Sequence, residues 1–465
     1  MPVKFLLLCV LALLSGTLGA CATLPDVSEI MEDVPAQPPQ IVGEKGQLPQ
    51  TESKAIIKKI KRFSGVSDIV ERQTLALQAV SGRPLVSGNK VTLLVDGSVT
   101  YAAMLRAIEG AQHTVNFETF IFEGDEVGQR FSDAFLKKRT EGVQVNIIYD
   151  GVGSKNTPPA FFQELRDNGI NVLQFNPVNP LLALVGKSQL AHRDHRKILV
   201  VDGATAFTGG VNIGDIYSSG ASGEHETAEM EREGTGALWR DTHVRIEGPA
   251  VAEFQQLFLE TWKEGKKDQL EEDTYFPELT RRGEDLVQVV GSSPGELNRV
   301  TFIMYVAAFL NAQRSIHLTT SYFVPDQQTL SALIDAAKRG LDVKIILPAA
   351  SDSSLVLHAG HYYYSDLLDA GVKLYERQNA ILHAKTSVVD AVWSTVGSTN
   401  MDQWSFLHNN EVNAIIISSD FASEMEALFA DDLAQSKEVT PDEWRKRPLL
   451  HRFWEWFTHL FRRYL

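Results

Sequence analysis

The chain has 465 residues and a formal net charge of -15, from 44 Lys and Arg against 59 Asp and Glu. That balance argues against a nucleic-acid partner, whose binding rests on basic side chains neutralising phosphates. Two cysteines, Cys9 and Cys21, provide no disulfide framework, and the length is sufficient for two packed cores.

Lys4 precedes an apolar run from Phe5 to Leu14, too short for a stable membrane span and suited to a secretory signal over residues 1–20. Leu18-Gly19-Ala20-Cys21 resembles the lipobox at which bacterial lipoproteins are cleaved and acylated, which makes Cys21 the expected lipidation site. Ala22, in place of Asp, resembles lipoproteins sent to the outer rather than the inner membrane. The expected location is therefore the bacterial cell envelope, lipid-anchored and facing the periplasm. Residues 21–53 carry Pro25, Pro35, Pro38, Pro39 and Pro49 without an apolar period, and read as a flexible tether after the lipidated cysteine.

From residue 54 the chain repeats itself, a first half over 54–275 and a second over 276–440. Residues 111–122 align with 312–323 as strands, and 142–149 align with 340–347. Between them, Val127 to Lys138 and Thr329 to Lys338 have helical periodicity. A β-α-β unit used twice predicts an α/β fold, one helix-covered sheet per half, with a site where the halves meet.

Each half also carries the same chemical motif. His195, Lys197, Asp202, Gly209, Gly210 and Asn212 recur at identical spacing as His383, Lys385, Asp390, Gly397, Ser398 and Asn400. Imidazole can attack phosphorus and leave again near neutral pH, while a second imidazole protonates the departing alkoxide. One motif is thus half a site. Lys197 and Lys385 supply charge for phosphate oxygens; Asn212, Asn400 and the backbone of the Gly209-Gly210 and Gly397-Ser398 turns supply neutral donors. The scheme requires no metal.

Each imidazole also needs a partner for its far nitrogen. Asp241, following the first motif, and Glu411, following the second, are the favoured carboxylates, each expected to orient the histidine of its own half. Asp202 and Asp390 compete for the role, although a carboxylate in a tight turn more often fastens local backbone.

The motif pair resembles that of the phospholipase D, or HKD, superfamily. Asp194 to Gly203, Trp239-Arg240-Asp241-Thr242-His243-Val244 and Gly397-Ser398-Thr399-Asn400-Met401-Asp402 resemble bacterial cardiolipin synthases. The resemblance covers roughly residues 90 to 465 as a duplicated domain. It implies a duplicated phospholipase D-like fold and phosphatidyl transfer between phospholipids, such as two phosphatidylglycerols, through a phosphohistidine intermediate with no cofactor. His195 is the nucleophile by the same resemblance, and Asp202 and Asp390 join the catalytic set. Phospholipids and a membrane surface are the expected partners. The alternatives are a phospholipase D releasing phosphatidic acid, an HKD phosphodiesterase or nuclease, and a non-enzymatic lipid-binding lipoprotein. Two departures from the family stand out. Many relatives have two N-terminal membrane helices, and Trp404 stands where related sequences often place Arg.

Residues 441–465 form a basic, aromatic, amphipathic helix. Two readings remain open for it, an anionic bilayer surface or docking on its own domain. His358 and His361, beside Tyr362 to Tyr364, lack a matching ligand cluster and read as lining for a lipid entrance. His192 receives no role, and the acidic run from Glu224 to Glu233 reads as a solvated loop.

Overall fold

The computed structural model describes residues 24–33, 39–64, 69–177, 192–218, 238–266, 270, 275–294 and 299–465. The signal segment, Cys21 and the acidic run from Glu224 to Glu233 lie outside them.

The first half contributes strands β1 (Leu85–Val95), β2 (Thr114–Thr119), β3 (Gln144–Asp150), β4 (Asn171–Phe175), β5 (Ile198–Val201), β6 (Thr205–Gly209) and β7 (Thr242–Glu247). The second contributes β8 (Asp285–Ser292), β9 (Ser315–Thr320), β10 (Asp342–Pro348), β11 (Lys373–Arg377), β12 (Lys385–Val389), β13 (Trp393–Gly397) and β14 (Asn409–Ile417). In space the first set runs β4-β3-β2-β5-β6-β7-β1. The second runs β8-β14-β13-β12-β9-β10-β11, which is the same order reflected. Within each set the β-α-β strands β2, β3, β4 and β9, β10, β11 are parallel and the remaining pairs antiparallel. The halves meet edge to edge where β1 pairs antiparallel with β8, so the two expected half-sheets form one continuous sheet.

Alternation along the strands explains why the halves pack as a unit. Along β5, Leu199 and Val201 face the first-half core with Phe117, Phe131 and Phe135, while Ile198 and Val200 face a core shared by both halves. That shared core contains Val244 and Phe254 from the first half with Val289, Val412 and Phe421 from the second. The second half keeps its own core around Val300–Asn311, a helix buried along nearly its whole length. The two predicted crossover helices are observed as Glu126–Thr140, with Asp125 capping the N–H of Gly128, and Gln327–Lys338, capped by Asp326.

The stretch expected to be an extended tether is docked over its described residues. Val27–Glu32 is a helix capped by Asp26, and Val27 and Met31, one turn apart, are buried in the second-half core. The Gln328 side chain accepts from the Val27 N–H at 2.9 Å and donates to the Pro25 carbonyl at 2.8 Å. Ile41–Gly43 then pairs with β1. Buried apolar residues at helical spacing, a side-chain amide bonded at both ends and a short strand pairing together dock a segment whose prolines suggested a spacer.

Candidate active site

The motif spacing is the length of a hairpin. His195 and Lys197 precede β5, which runs to the turn at Asp202; β6 then brings Gly209 and Gly210 back beside Lys197 in the register that pairs Ile198 with Thr208. The second motif repeats this with β12 and β13, where Thr386 pairs with Val396. Both turns use left-handed backbone, φ 51° at Asp202 and 60° at Gly203, 56° at Asp390 and 53° at Ala391, at the central positions of the β-turns Val201–Ala204 and Val389–Val392, each within a three-residue hairpin loop. Because β5 and β12 run antiparallel to β2 and β9, both imidazoles sit at the carboxyl ends of the parallel strands, where ligands bind in open α/β sheets.

Asp202 and Asp390 are thereby carried to the opposite edge of the sheet. The Asp202 carboxylate accepts from the N–H groups of Gln112, His113 and Thr114 at 2.7–2.9 Å. Asp390 does the same for Gln313, Arg314 and Ser315 at 2.7–3.0 Å. They fasten the starts of β2 and β9, and this geometry removes them from the reacting set.

The carboxylate partners are crossed between halves. His195 Nδ1 lies 3.1 Å from both oxygens of Glu411, and His383 Nδ1 lies 2.7 Å from Asp241 Oδ2. The expectation that each histidine takes the carboxylate of its own half is therefore corrected to an exchange. Backbone pairing enforces it. Leu238–Arg240 runs parallel to Ala380–Leu382, and the His383 N–H donates to the Arg240 carbonyl at 2.8 Å. Arg193–Asp194 runs parallel to Asn409–Asn410, and the His195 N–H donates to the Asn410 carbonyl at 2.9 Å. Each histidine is thus pinned to the residue just before its carboxylate.

The glycine pairs make room for this arrangement. A Cβ at Gly210 would fall 2.1 Å from Asp241 Oδ1, and one at Gly397 would fall 2.3 Å from the Val412 carbonyl. Ser398, in the place of Gly210, donates its hydroxyl to Glu411 Oε2 at 2.5 Å and accepts from the Val412 N–H at 3.0 Å. Lys197 and Lys385 are buried and donate to the carbonyls of His195 and His383 at 2.7 and 2.5 Å. Asn212 accepts from the Ile121 N–H at 3.2 Å and donates to the Tyr217 hydroxyl at 3.0 Å; Asn400 accepts from Ser321 at 2.7 Å.

Burial and charge distinguish the two imidazoles. His195 is held well below the ordinary histidine range, first by burial and then by Lys197, Lys385 and His383. His383 is lowered by burial and Lys385, but Asp241 opposes that shift. Asp241 itself is held low, its burial outweighed by His383 and Lys385, so it remains a carboxylate. Burial pushes Glu411 up to about 7. Lys197 is lowered to about 7 and Lys385 to about 8, chiefly by burial. Of the two, His383 is therefore the imidazole whose protonated form is better supported, by the Asp241 carboxylate, and His195 the one that more readily offers a free lone pair.

Several groups at the site carry no motif signal. Phe120 meets the His195 ring edge-on at 5.0 Å, and Tyr217 and Trp239 lie 5.6 and 5.4 Å from His383. Arg196 reaches the Glu411 carbonyl, Thr261 and the Ser292 carbonyl, tying the first motif to the second half. Its counterpart in the second motif is the buried Ala384, so comparing the motifs marks position 196 as different without saying how. Arg240 forms a bidentate pair with Asp432 at 2.8–2.9 Å, bracing the segment that carries Asp241. His192 Nε2 lies 2.9 Å from Asn410 Oδ1. His361 packs on Tyr364 and Trp444. Trp404 lies in the helix Gln403–His408, against His408.

The family model described as "Cardiolipin synthase, PLD-like domain" matches twice, over residues 104–227 and 305–433. The cardiolipin synthase of Alkalihalophilus pseudofirmus is 34% identical over 375 residues, covering 80% of this chain and 71% of that protein. A Geobacillus cardiolipin synthase is 36% identical over 383 residues, 82% of this chain and 73% of its own. Among solved structures, the phosphatidylserine synthase of Haemophilus influenzae Rd KW20 aligns with a TM-score of 0.60 at 13% identity, over 83% of this chain and 98% of that one, and shares the fold. With two family matches spanning more than half its length and such relatives along most of it, the chain belongs to the cardiolipin synthase family of phospholipase D-like proteins.

Proposed function

We propose that this protein makes cardiolipin by moving a phosphatidyl group from one phospholipid to another, with phosphatidylglycerol as donor and acceptor. The observation that supports this most directly is the pair of imidazoles in one site, each backed at Nδ1 by a carboxylate from the opposite half. With Nδ1 occupied, Nε2 is the nitrogen that meets phosphorus.

In the first step His195 Nε2 attacks phosphorus, the bond to the glycerol oxygen breaks, and His383 gives its proton to that oxygen so that glycerol leaves. The phosphatidyl group is then held on His195. In the second step the acceptor's hydroxyl gives its proton to His383 while its oxygen attacks phosphorus, and the bond to His195 breaks. Both imidazoles return to their starting states. Lys197 and Lys385, with Asn212 and Asn400, offset the charge on the phosphate oxygens, whereas the Gly210 and Ser398 N–H groups, expected to share that role, are spent on the carbonyls of Thr242 and Val412.

A bacterial envelope location with lipid on Cys21 belongs to the same proposal and is supported by the lipobox-like Leu18-Gly19-Ala20-Cys21. Among the described residues no helix is long and apolar enough to cross a membrane. The deciding experiment incubates the full chain with phosphatidylglycerol vesicles and identifies products by mass spectrometry. Cardiolipin with free glycerol is expected; phosphatidic acid instead would make it a hydrolase. His195→Ala and His383→Ala should each abolish transfer, and normal transfer by either would refute the shared site.

A further inference from the structure

The C-terminal helix Leu449–His459 is mounted with its polarity reversed. Leu449, Phe453, Trp456 and Leu460 are 80%, 50%, 50% and 52% exposed, whereas Glu455 and Thr458 are 3% and 1% exposed. An ordinary surface helix buries its apolar stripe. Here the inward contacts are polar and aromatic: Arg447 clasps Glu455 through two bonds of 2.7 and 2.8 Å, and His459 stacks on Tyr362 at 3.7 Å. The helix is held at both ends as well. Before it, Trp444 packs on Tyr364 and His361. After it, Leu465 joins the second-half core, and Arg462–Tyr464 packs on Gln403–His408.

We infer that this outward face is a docking surface for an anionic lipid bilayer, and that it presents the active-site mouth to the membrane. The choice of lipid rests on the function proposed above. Charge complementarity favours a bilayer. Between Trp444 and Leu465 there are six Arg and Lys and one acid, Glu455, which Arg447 neutralises, in a chain whose net charge is -15. Arg445, Lys446, Arg452 and Arg463 are exposed at the margins of the stripe. Aromatic side chains flanked by Arg suit the headgroup boundary, where apolar bodies enter the acyl region and guanidinium groups meet phosphates.

Attachment to the site fixes the orientation. The helix packs on Ser354–His361, a span of about 12 Å, which follows Asp352. Asp352 bonds the Tyr322 hydroxyl at 2.8 Å and lies close enough to Lys385 to stabilise its charge. The other support, Gln403–His408, begins three residues after Asn400 of the second motif. Both supports thus lead directly from the catalytic edge of the sheet.

Hydrogen exchange of the full chain, read by mass spectrometry, tests this locally and without turnover. Vesicles of mixed phosphatidylglycerol and phosphatidylcholine should protect residues 449–460 about tenfold or more, and pure phosphatidylcholine or high salt should largely abolish that protection. The triple variant F453S/W456S/F457S changes exposed side chains only and should lose the protection. It should also lose activity on vesicles while turning over dispersed short-chain phosphatidylglycerol normally. Unchanged exchange at 449–460 in the mixed vesicles would overturn the inference. So would protection that appears without lipid and grows with protein concentration, which would assign the face to a second copy. If neither lipid form is turned over, the proposed function fails, while the exchange result still decides the docking surface.

Discussion

Asp241→Asn and Glu411→Gln should affect catalysis unequally, because the two carboxylates differ in charge near neutral pH. Asp241 is an anion 2.7 Å from His383 Nδ1 and takes the Thr242 N–H on its other oxygen at 2.7 Å. An amide has one acceptor oxygen for those two donors, so it either turns its NH2 toward the imidazole, forcing the wrong tautomer, or abandons Thr242. A hydrogen bond to a charged group contributes about 1.5–3 kcal/mol, and neutralising an orienting carboxylate in a hydrolase triad costs about 10⁴-fold in kcat. For Asp241→Asn the expected loss is about 10²–10⁴-fold, or roughly 3–5 kcal/mol. The alkaline limb of kcat/KM should also move to lower pH, since Asp241 is what opposes the lowering of His383. Glu411, pushed up to about 7, is largely protonated below that pH. Glutamine mimics the neutral form, so Glu411→Gln should cost less than about tenfold at pH 6. Its deficit should grow above pH 7, where the wild-type carboxylate ionises and glutamine cannot. Cardiolipin formation by the full-chain variants across that pH range is the assay. A loss of less than tenfold in Asp241→Asn, or equal losses for both at pH 6, would refute the assignment of His383 as the proton carrier.

Asp390→Ala removes the acceptor for three backbone N–H groups and should destabilise the fold by about 2–4 kcal/mol in denaturant unfolding. Its kcat below the transition should stay within about threefold of wild type, because Asp390 fastens backbone at the far edge of the sheet. Arg240→Met should cost about 3–5 kcal/mol by leaving Asp432 short of its bidentate partner, and the double variant Arg240→Met/Asp432→Leu should recover part of that loss in the same measurement. Gly210→Ala should lower kcat about tenfold or more by displacing Asp241, and restored activity in Gly210→Ala would require a carboxylate position other than the one observed. KM for phosphatidylglycerol should rise as pH increases through about 7 to 8, as Lys197 and Lys385 lose the protons that attract the phosphate.

Local features carried much of this information in the chain itself. The period of 2 in strands such as Ile198–Val201, the period of 3.6 in the crossover helices and the His-to-Asn spacing of each motif all act within about a dozen residues. They specify a β-α-β unit used twice, two imidazoles, two lysines and two turn aspartates. Phe120 and Tyr217 were not legible, because aromatic packing has no fixed spacing from a motif, and Arg196, although inside the first motif, showed only that it differs from Ala384.

Tertiary structure decided how these units meet. The pairing of β1 with β8 joins the sheets, and the parallel pairs at Arg193–Asp194 and Leu238–Arg240 exchange the carboxylates across 216 and 142 residues of chain. No local periodicity encodes contacts at that separation; they follow from the reflected order of the strands and the core shared between the halves. The same is true at the C-terminus, where the sequence determined an amphipathic helix but only packing around Glu455 and Thr458 decided that its polar side faces inward. A hydrophobic stripe states which side chains share a face, and the neighbours available to pair with Arg447 and His459 determine which face is buried.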